Sequence, residues 1–317
     1  MRVRSRRLLL LSVGALIAGA VIVAPNALGS RGPAGPAAPH SAECGNGRTD
    51  AARHGCVSYG PTVPLGDGQL RAFGAAKDGH PTLVGLSFSD KSMTNLPTSM
   101  SDGERCFDVN GDGTINDHLE CSGGHQREVE LPKVLTDLPT SPFKWVMVNW
   151  NMMGHGPPMV YDKPHFDVHF YLRPRAEVEA IRVGPCGNVV NCDDFATARV
   201  PVPAEYTPAD YADYGFVQPQ MGNHLVDKTN DEWTGGTFDR TFVYGSFAGQ
   251  LTYLEPMITK EWLDGLKSGA VEEGCFPIKQ PQKWQVAGWY PQVYCGEYDE
   301  RRGEYQVSLQ RFSSSRR

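Results

Sequence analysis

Several common chemistries have no signature in this chain. There is no G-x-S-x-G around a serine, and Gly245-Ser246-Phe247 reads as a turn rather than a nucleophile elbow. There is no phosphate-binding loop and no dinucleotide fingerprint. None of the eight cysteines has C-x-x-C spacing, which argues against a zinc–thiolate site. No sequence repeat is evident, and helical periodicity is scarce. Excess positive charge is lacking too. The formal charge is −6, and removing residues 1–42, which carry five arginines and no acid, takes it to −11. A chain of that sign is a poor nucleic-acid partner.

The N-terminus, by contrast, is rich in signals. Residues 1–7 are basic and residues 8–24 are apolar, the pattern of an export signal. Ser5-Arg6-Arg7 also resembles a twin-arginine signal, with an ordinary arginine-rich leader as the alternative. Cleavage is expected between Ala27 and Ala42; an uncleaved anchor through residues 8–24 is the other reading. Residues 29–41 are rich in Gly, Pro and Ala and form a tether. The expected organisation is a signal and tether over residues 1–42, one β-rich domain over 43–312, and a disordered tail over 313–317.

Eight cysteines in an exported chain point to disulfides. Proximity pairs Cys44 with Cys56, Cys106 with Cys121, Cys186 with Cys192, and Cys275 with Cys295. The 35 glycines and 24 prolines suit many short strands joined by turns. Strands are expected at 69–75, 82–88, 143–150, 165–172, 238–244, 250–255 and 305–312. The best helix is 259–266, capped by Thr259. The fold class that follows is all-β with minor α content: an antiparallel barrel or sandwich, cupin-like or lipocalin-like, with a few short helices.

The most informative stretch is Pro164-His165-Phe166-Asp167-Val168-His169-Phe170-Tyr171. Strict alternation is a strand signature, with His165, Asp167 and His169 on one face and apolar residues on the other. Such a polar row is costly to bury unless something satisfies it. A metal ion is one answer, since imidazole and carboxylate are standard ligands for Zn2+, Fe2+ and Mn2+. Hydrogen-bonded histidines at a barrel mouth are the other. Reach constrains the first answer. Strand residues two apart lie about 6.8 Å apart, and those four apart about 13 Å, so His165 and His169 do not share an ion on a straight strand. Asp167, His169 and the distant His224 are the leading ligand set. His155, His165 and Glu255 come next. Two histidines and a carboxylate leave positions open for substrate or oxygen, whereas three histidines with water suit hydrolysis or hydration.

A second motif spans Asp108-Val109-Asn110-Gly111-Asp112-Gly113-Thr114-Ile115-Asn116 and matches the first nine places of an EF-hand-type calcium loop. Asp108, Asn110, Asp112, Thr114, Asn116, Asp117 and Glu120 are candidate ligands for a structural Ca2+. The twelfth place holds Leu119, so the bidentate acid of the motif falls one residue late. An Asx-rich turn without an ion is the competing interpretation. Cys106 and Cys121 bracket the segment, making it an insert at 106–121.

These motifs together resemble a family of exported bacterial proteins of unknown function first described from a Thermus protein. The resemblance rests on Trp150-Asn151 with Gly154-His155, on Val160-Tyr161-Asp162-x-Pro164-His165-Phe166-Asp167-x-His169-Phe170-Tyr171, and on Met221-Gly222-x-His224-x-x-Asp227. Tyr244-Gly245-x-x-x-Gly249 and Glu255-Pro256-Met257-Ile258-Thr259 extend it, so that it spans residues 58–312. It implies an extracytoplasmic location and no particular reaction. That family usually places Glu after the histidine matching His155; here the residue is Gly156, so any role of that acid is lost. The calcium-like loop and the cysteines look like additions to the family core.

The function expected from the sequence is an extracytoplasmic metal-binding protein, a mononuclear metalloenzyme acting on a small molecule in its catalytic version. The alternative is a non-catalytic ligand-binding or assembly protein whose histidines are structural. Expected partners are a small molecule and other copies of the chain, with no nucleic acid. Contact with a membrane is expected only through an uncleaved N-terminal segment.

Overall fold

The computed structural model describes residues 41–43 and 54–315. The export signal, most of the tether, Cys44 and the last two arginines lie outside the described residues. Strands β1 (Ser41–Glu43), β2 (Val57–Leu65), β3 (Gly68–Lys77) and β4 (His80–Ser89) begin one sheet. Strands β5 (His125–Val129), β6 (Trp145–Asn151) and β7 (His165–Tyr171) begin a second, and β8 (Val183–Cys186) stands apart. β9 (Tyr211–Gln218), β10 (Gly222–Asp227), β11 (Arg240–Phe247) and β12 (Gln250–Thr259) complete the second sheet. The chain ends with β13 (Gly274–Pro277), β14 (Gly288–Tyr290), β15 (Val293–Asp299), β16 (Glu304–Gln310) and β17 (Ser313–Ser315).

The first sheet runs β1-β2-β3-β4-β16-β15-β13, and the second β5-β6-β7-β12-β11-β10-β9. All these pairings are antiparallel. The sheets stack through one large apolar core to which β3 and β4 give Leu70, Leu86 and Phe88, and β6 and β7 give Val148, Phe166 and Phe170. Phe88 meets Phe166 across this core, ring centres 5.1 Å apart. The architecture is therefore sandwich-like, without closure into a cupin- or lipocalin-type barrel.

Local chemistry explains the tight connections. β3 turns into β4 through Asp78 and Gly79, both at positive φ, and β11 turns into β12 through Ala248 and Gly249 in the same way. Two left-handed residues match the twist of the flanking strands. Helix Lys260–Ser268 starts on Thr259, whose hydroxyl accepts the Trp262 N–H at 3.2 Å, and ends on left-handed Gly269. Its buried Trp262, Leu263 and Leu266 close one end of the core. No helix among the described residues is long and apolar enough to cross a membrane.

Disulfides join Cys106 to Cys121, Cys186 to Cys192 and Cys275 to Cys295, three of the expected pairs. Cys56 is disulfide-bonded as well, while its expected partner Cys44 lies outside the described residues. Two boundaries shift. Ser41 and Ala42, assigned to the tether, pair with Tyr59 and Ser58. Ser313–Ser315, assigned to a disordered tail, pair with Gly288–Tyr290, because Trp289 and Tyr290 give the last residues a strand edge to join.

Candidate metal centre

β7 carries the row of His165, Asp167 and His169 as alternation requires. Phe166, Val168 and Phe170 enter the core between the sheets. The polar row therefore lies on the opposite, outer face of the second sheet, and no barrel mouth receives it. All three polar residues are nonetheless buried. The segment between β6 and β7 folds back over them, with His155 bridged to Tyr161, and Phe238 from the β10–β11 connection packs its ring 5.2 Å from His165. Gly154 permits that fold: it sits at φ +72°, and a Cβ there would come within 2.1 Å of the Tyr161 carbonyl oxygen.

The register divides the six candidate ligands into two groups. Asp167 faces Asn149 on β6 and Met257 on β12, whereas His169 faces Met147 and lies level with Glu255. His155, His165 and Asp167 converge as one set of ligand atoms; His169, His224 and Glu255 converge as the other. The expected leading set of Asp167, His169 and His224 is thus split. Asp167 turns toward His155 and His165, and Glu255 joins His169 and His224. His165 and His169 fall in different groups, as strand spacing requires. A third convergence, Cys275, Cys295 and Glu297, has its sulfurs committed to a disulfide.

The first group is the better paired of the two, although Asp167 Oδ1 is itself buried without a hydrogen-bond partner among the described residues. Asp167 Oδ1 lies 3.1 Å from His165 Nε2, and Oδ2 lies 3.4 Å from His155 Nε2. Asn151 Nδ2 donates to Oδ2 at 2.7 Å. His165 Nδ1 donates to the Lys163 carbonyl at 2.6 Å, and His155 Nδ1 to the Gly156 carbonyl at 3.0 Å. Burial opposes charge on His155, but Asp167 outweighs it and holds the imidazole above its usual range. Burial opposes charge on Asp167 too, yet His165 and His155 hold it well below the usual carboxylate range. An ionised aspartate between imidazoles is a stable arrangement without any ion.

The second group does not satisfy itself. His169, His224 and Glu255 are 0%, 8% and 1% exposed. His224 Nδ1 donates to the Phe216 carbonyl at 2.7 Å, which turns the Nε2 lone pair inward toward Glu255 Oε2, 3.9 Å away. Glu255 Oε1 lies 3.3 Å from His169 Nε2. Both ring nitrogens of His169, Glu255 Oε2 and the Tyr253 hydroxyl are buried with no hydrogen-bond partner among the described residues. Burial pushes the His169 imidazole down to about 3 and that of His224 down to about 4, so both are neutral. Burial, reinforced by Asp167, pushes the Glu255 carboxyl well above its ordinary value. Neutral imidazoles, one of them oriented by a backbone carbonyl, beside a buried carboxyl make a group that could hold a metal ion.

Gly245 makes this geometry accessible. It lies between Tyr253 on β12 and His224 on β10 in the register. A Cβ there would sit 2.2 Å from the Tyr253 ring. Its absence lets that ring lie flat over β11, 4.8 Å from the His169 ring and 5.5 Å from that of His224.

Asn151 and Tyr253 are not among the expected site residues, although the signal was present. Tyr253 is two residues before Glu255, hence on its face, and Asn151 pairs with His165. Asp227, by contrast, leaves the His224 face and pairs with Lys279 at 2.8 Å.

Most side-chain oxygens of the calcium-like segment accept from nearby backbone N–H groups. Asp108 accepts from the N–H groups of Gly111, Asp112 and Gly113; Asn110 and Asp112 accept two residues on; Asn116 accepts from His118 and Leu119. Glu120 accepts from Val109, Asn110 and Asn116, and Asp117 from Met100 and Ser101. Its acids are not among the convergent groups above.

No family model, curated protein or solved structure matches the chain.

Proposed function

We propose that this is an extracytoplasmic metal-binding protein that holds one divalent transition-metal ion, such as Zn2+, Fe2+ or Mn2+, on His169, His224 and Glu255. The observation that carries this reading is the set of buried, unpartnered atoms in that group. A buried polar atom without a partner costs about 1–3 kcal/mol, and a cation at their centre would serve several of them together. The first group, already paired, acts beside it: Asp167 adds negative charge, and His155, 28% exposed on its side chain, is the member nearest solvent. Three disulfides fit an oxidising compartment.

The near-complete burial of the three ligands favours a tightly held ion over turnover, so the non-catalytic version of the expected function is preferred. Metal content of tag-free protein decides the matter. His169→Ala, His224→Ala and Glu255→Gln should each lose the ion, while His165→Ala should retain it. Stoichiometric metal in folded His169→Ala and His224→Ala would overturn the assignment.

A further inference from the structure

Away from the metal centre, the two sheets part at one edge, where β9 borders one and β13 the other. They leave a cleft of about 340 Å³. Its walls include Tyr211 and Phe242 from the second sheet and Phe276 and Tyr294 from the first. A cleft of this size suits a small molecule.

Arg240, at the start of β11, lines it. Its guanidinium lies over the Phe276 ring, 3.7 Å from the ring centre, and 5.6 Å from that of Trp262. Arg240 Nε is buried without a hydrogen-bond partner, and no acid among the described residues pairs with the guanidinium. This is unusual company, because four acids line the same cleft. Two are paired with lysines, and Asp231 is exposed to solvent. Asp227 is bound to Lys279 at 2.8 Å and Asp239 to Lys163 at 3.1 Å. Glu232 is 6% exposed with one carboxyl oxygen unpartnered, and its burial favours the neutral acid. Lys279 is itself held by Asp210 and Asp227. Among the described residues, Arg240 is thus the one cation of the cleft with its donors unspent.

We propose that this cleft binds a small organic carboxylate, its carboxyl on the Arg240 fork and its body against the aromatic walls. The planar guanidinium presents parallel N–H groups that match a carboxylate, and stacking on Phe276 holds that plane in place before a ligand arrives. Inorganic phosphate fits less well, because the aromatic walls offer it nothing and the neighbouring acids repel its second charge.

The test uses the whole protein, run both metal-loaded and chelator-treated so that the result stands apart from the metal assignment. Acetate, benzoate and succinate are titrated by calorimetry or by NMR shifts, against benzamide and inorganic phosphate. Benzoate should bind saturably and at least about tenfold more tightly than benzamide or phosphate, a difference of about 1.4 kcal/mol. Folded Arg240→Gln should lose about tenfold in benzoate affinity. Phe276→Leu should weaken benzoate while keeping the preference for carboxylate over amide. Absence of saturable binding by all three carboxylates would overturn the proposal. So would equal affinity in folded Arg240→Gln, equal binding of benzamide, or tighter binding of phosphate.

Discussion

Glu255→Gln separates the two states of the metal centre, because its effect should depend on whether metal is present. The side chain keeps its shape and neutral hydrogen-bonding groups but loses the ability to ionise. At a free-metal concentration about a thousand times Kd, an ion bound only by the folded state adds about 4 kcal/mol. The parent should gain that amount in urea unfolding with zinc over unfolding with a chelator. The Gln variant should gain under about 1 kcal/mol, since the anionic ligand is gone. With chelator the order should close or reverse. The Glu255 carboxyl is raised well above its ordinary value of 4.5 by burial and then by Asp167. Its contribution is full below that value and is lost as pH rises toward the folded pKa. The variant has no such loss. His169 and His224, depressed from 6.5, act oppositely: their contribution is present above 6.5 and falls away as pH drops toward 4 and 3. Both proteins share that behaviour, so it cancels in the difference between them. Equal destabilisation of Glu255→Gln with zinc and with chelator would refute the reasoning and make Glu255 an ordinary hydrogen-bonding group.

Gly245→Ala should lower metal content and cost about 1–3 kcal/mol, because its Cβ would displace the Tyr253 ring from 2.2 Å away; normal loading would show that the ring's placement is irrelevant. Buried Arg105 is paired to Asp102 at 2.5 Å and also donates to the Ser122 and Gly124 carbonyls, so Asp102→Ala should cost about 3–5 kcal/mol in chemical unfolding. Burial opposes charge on Asp102, but Gln126 and Arg105 hold its pKa below 3.8; the parent's advantage over Asp102→Ala should be full above that value and shrink as pH falls through the folded pKa. An ion held by residues 106–121 would make calcium raise the melting temperature of the parent and leave Asp108→Ala with Asp112→Ala unmoved. An equal response in both proteins would place the effect outside residues 106–121.

The strands were legible where side chains alternate or where a turn pair is explicit, as in β7 and the Asp78-Gly79 and Ala248-Gly249 hairpins. The helix at Lys260–Ser268 announced itself through Thr259 and Glu261. β9, β10 and β13 to β15 carry weaker alternation, because both their faces are partly covered and their polarity does not switch cleanly. The six candidate ligands lie on the sheet or, for His155, on the segment folded over it, but their grouping depends on which residue of β12 lies opposite which residue of β7. One step along β12 exchanges Glu255 for Pro256, and no local pattern encodes that offset. The outward aim of the row was equally hidden. The facing sheet buries one face of β7 and covering loops bury the other, and sequence reports burial without saying which layer supplies it.

β7 is consequently its own alignment key. Sliding it by one residue against β6 or β12 would send two imidazoles and a carboxylate into the sandwich and push Phe166, Val168 and Phe170 out under the loops. Each polar group so misplaced costs about 2–7 kcal/mol, and each displaced aromatic or branched chain forfeits about 1.5–3 kcal/mol. Misalignment is penalised on both sides of the strand at once. Insertions should therefore be tolerated poorly within β6, β7 and β12, and readily between Cys106 and Cys121, where the disulfide confines the change. Length variation among relatives of this chain, or in a library of random insertions, should follow that division.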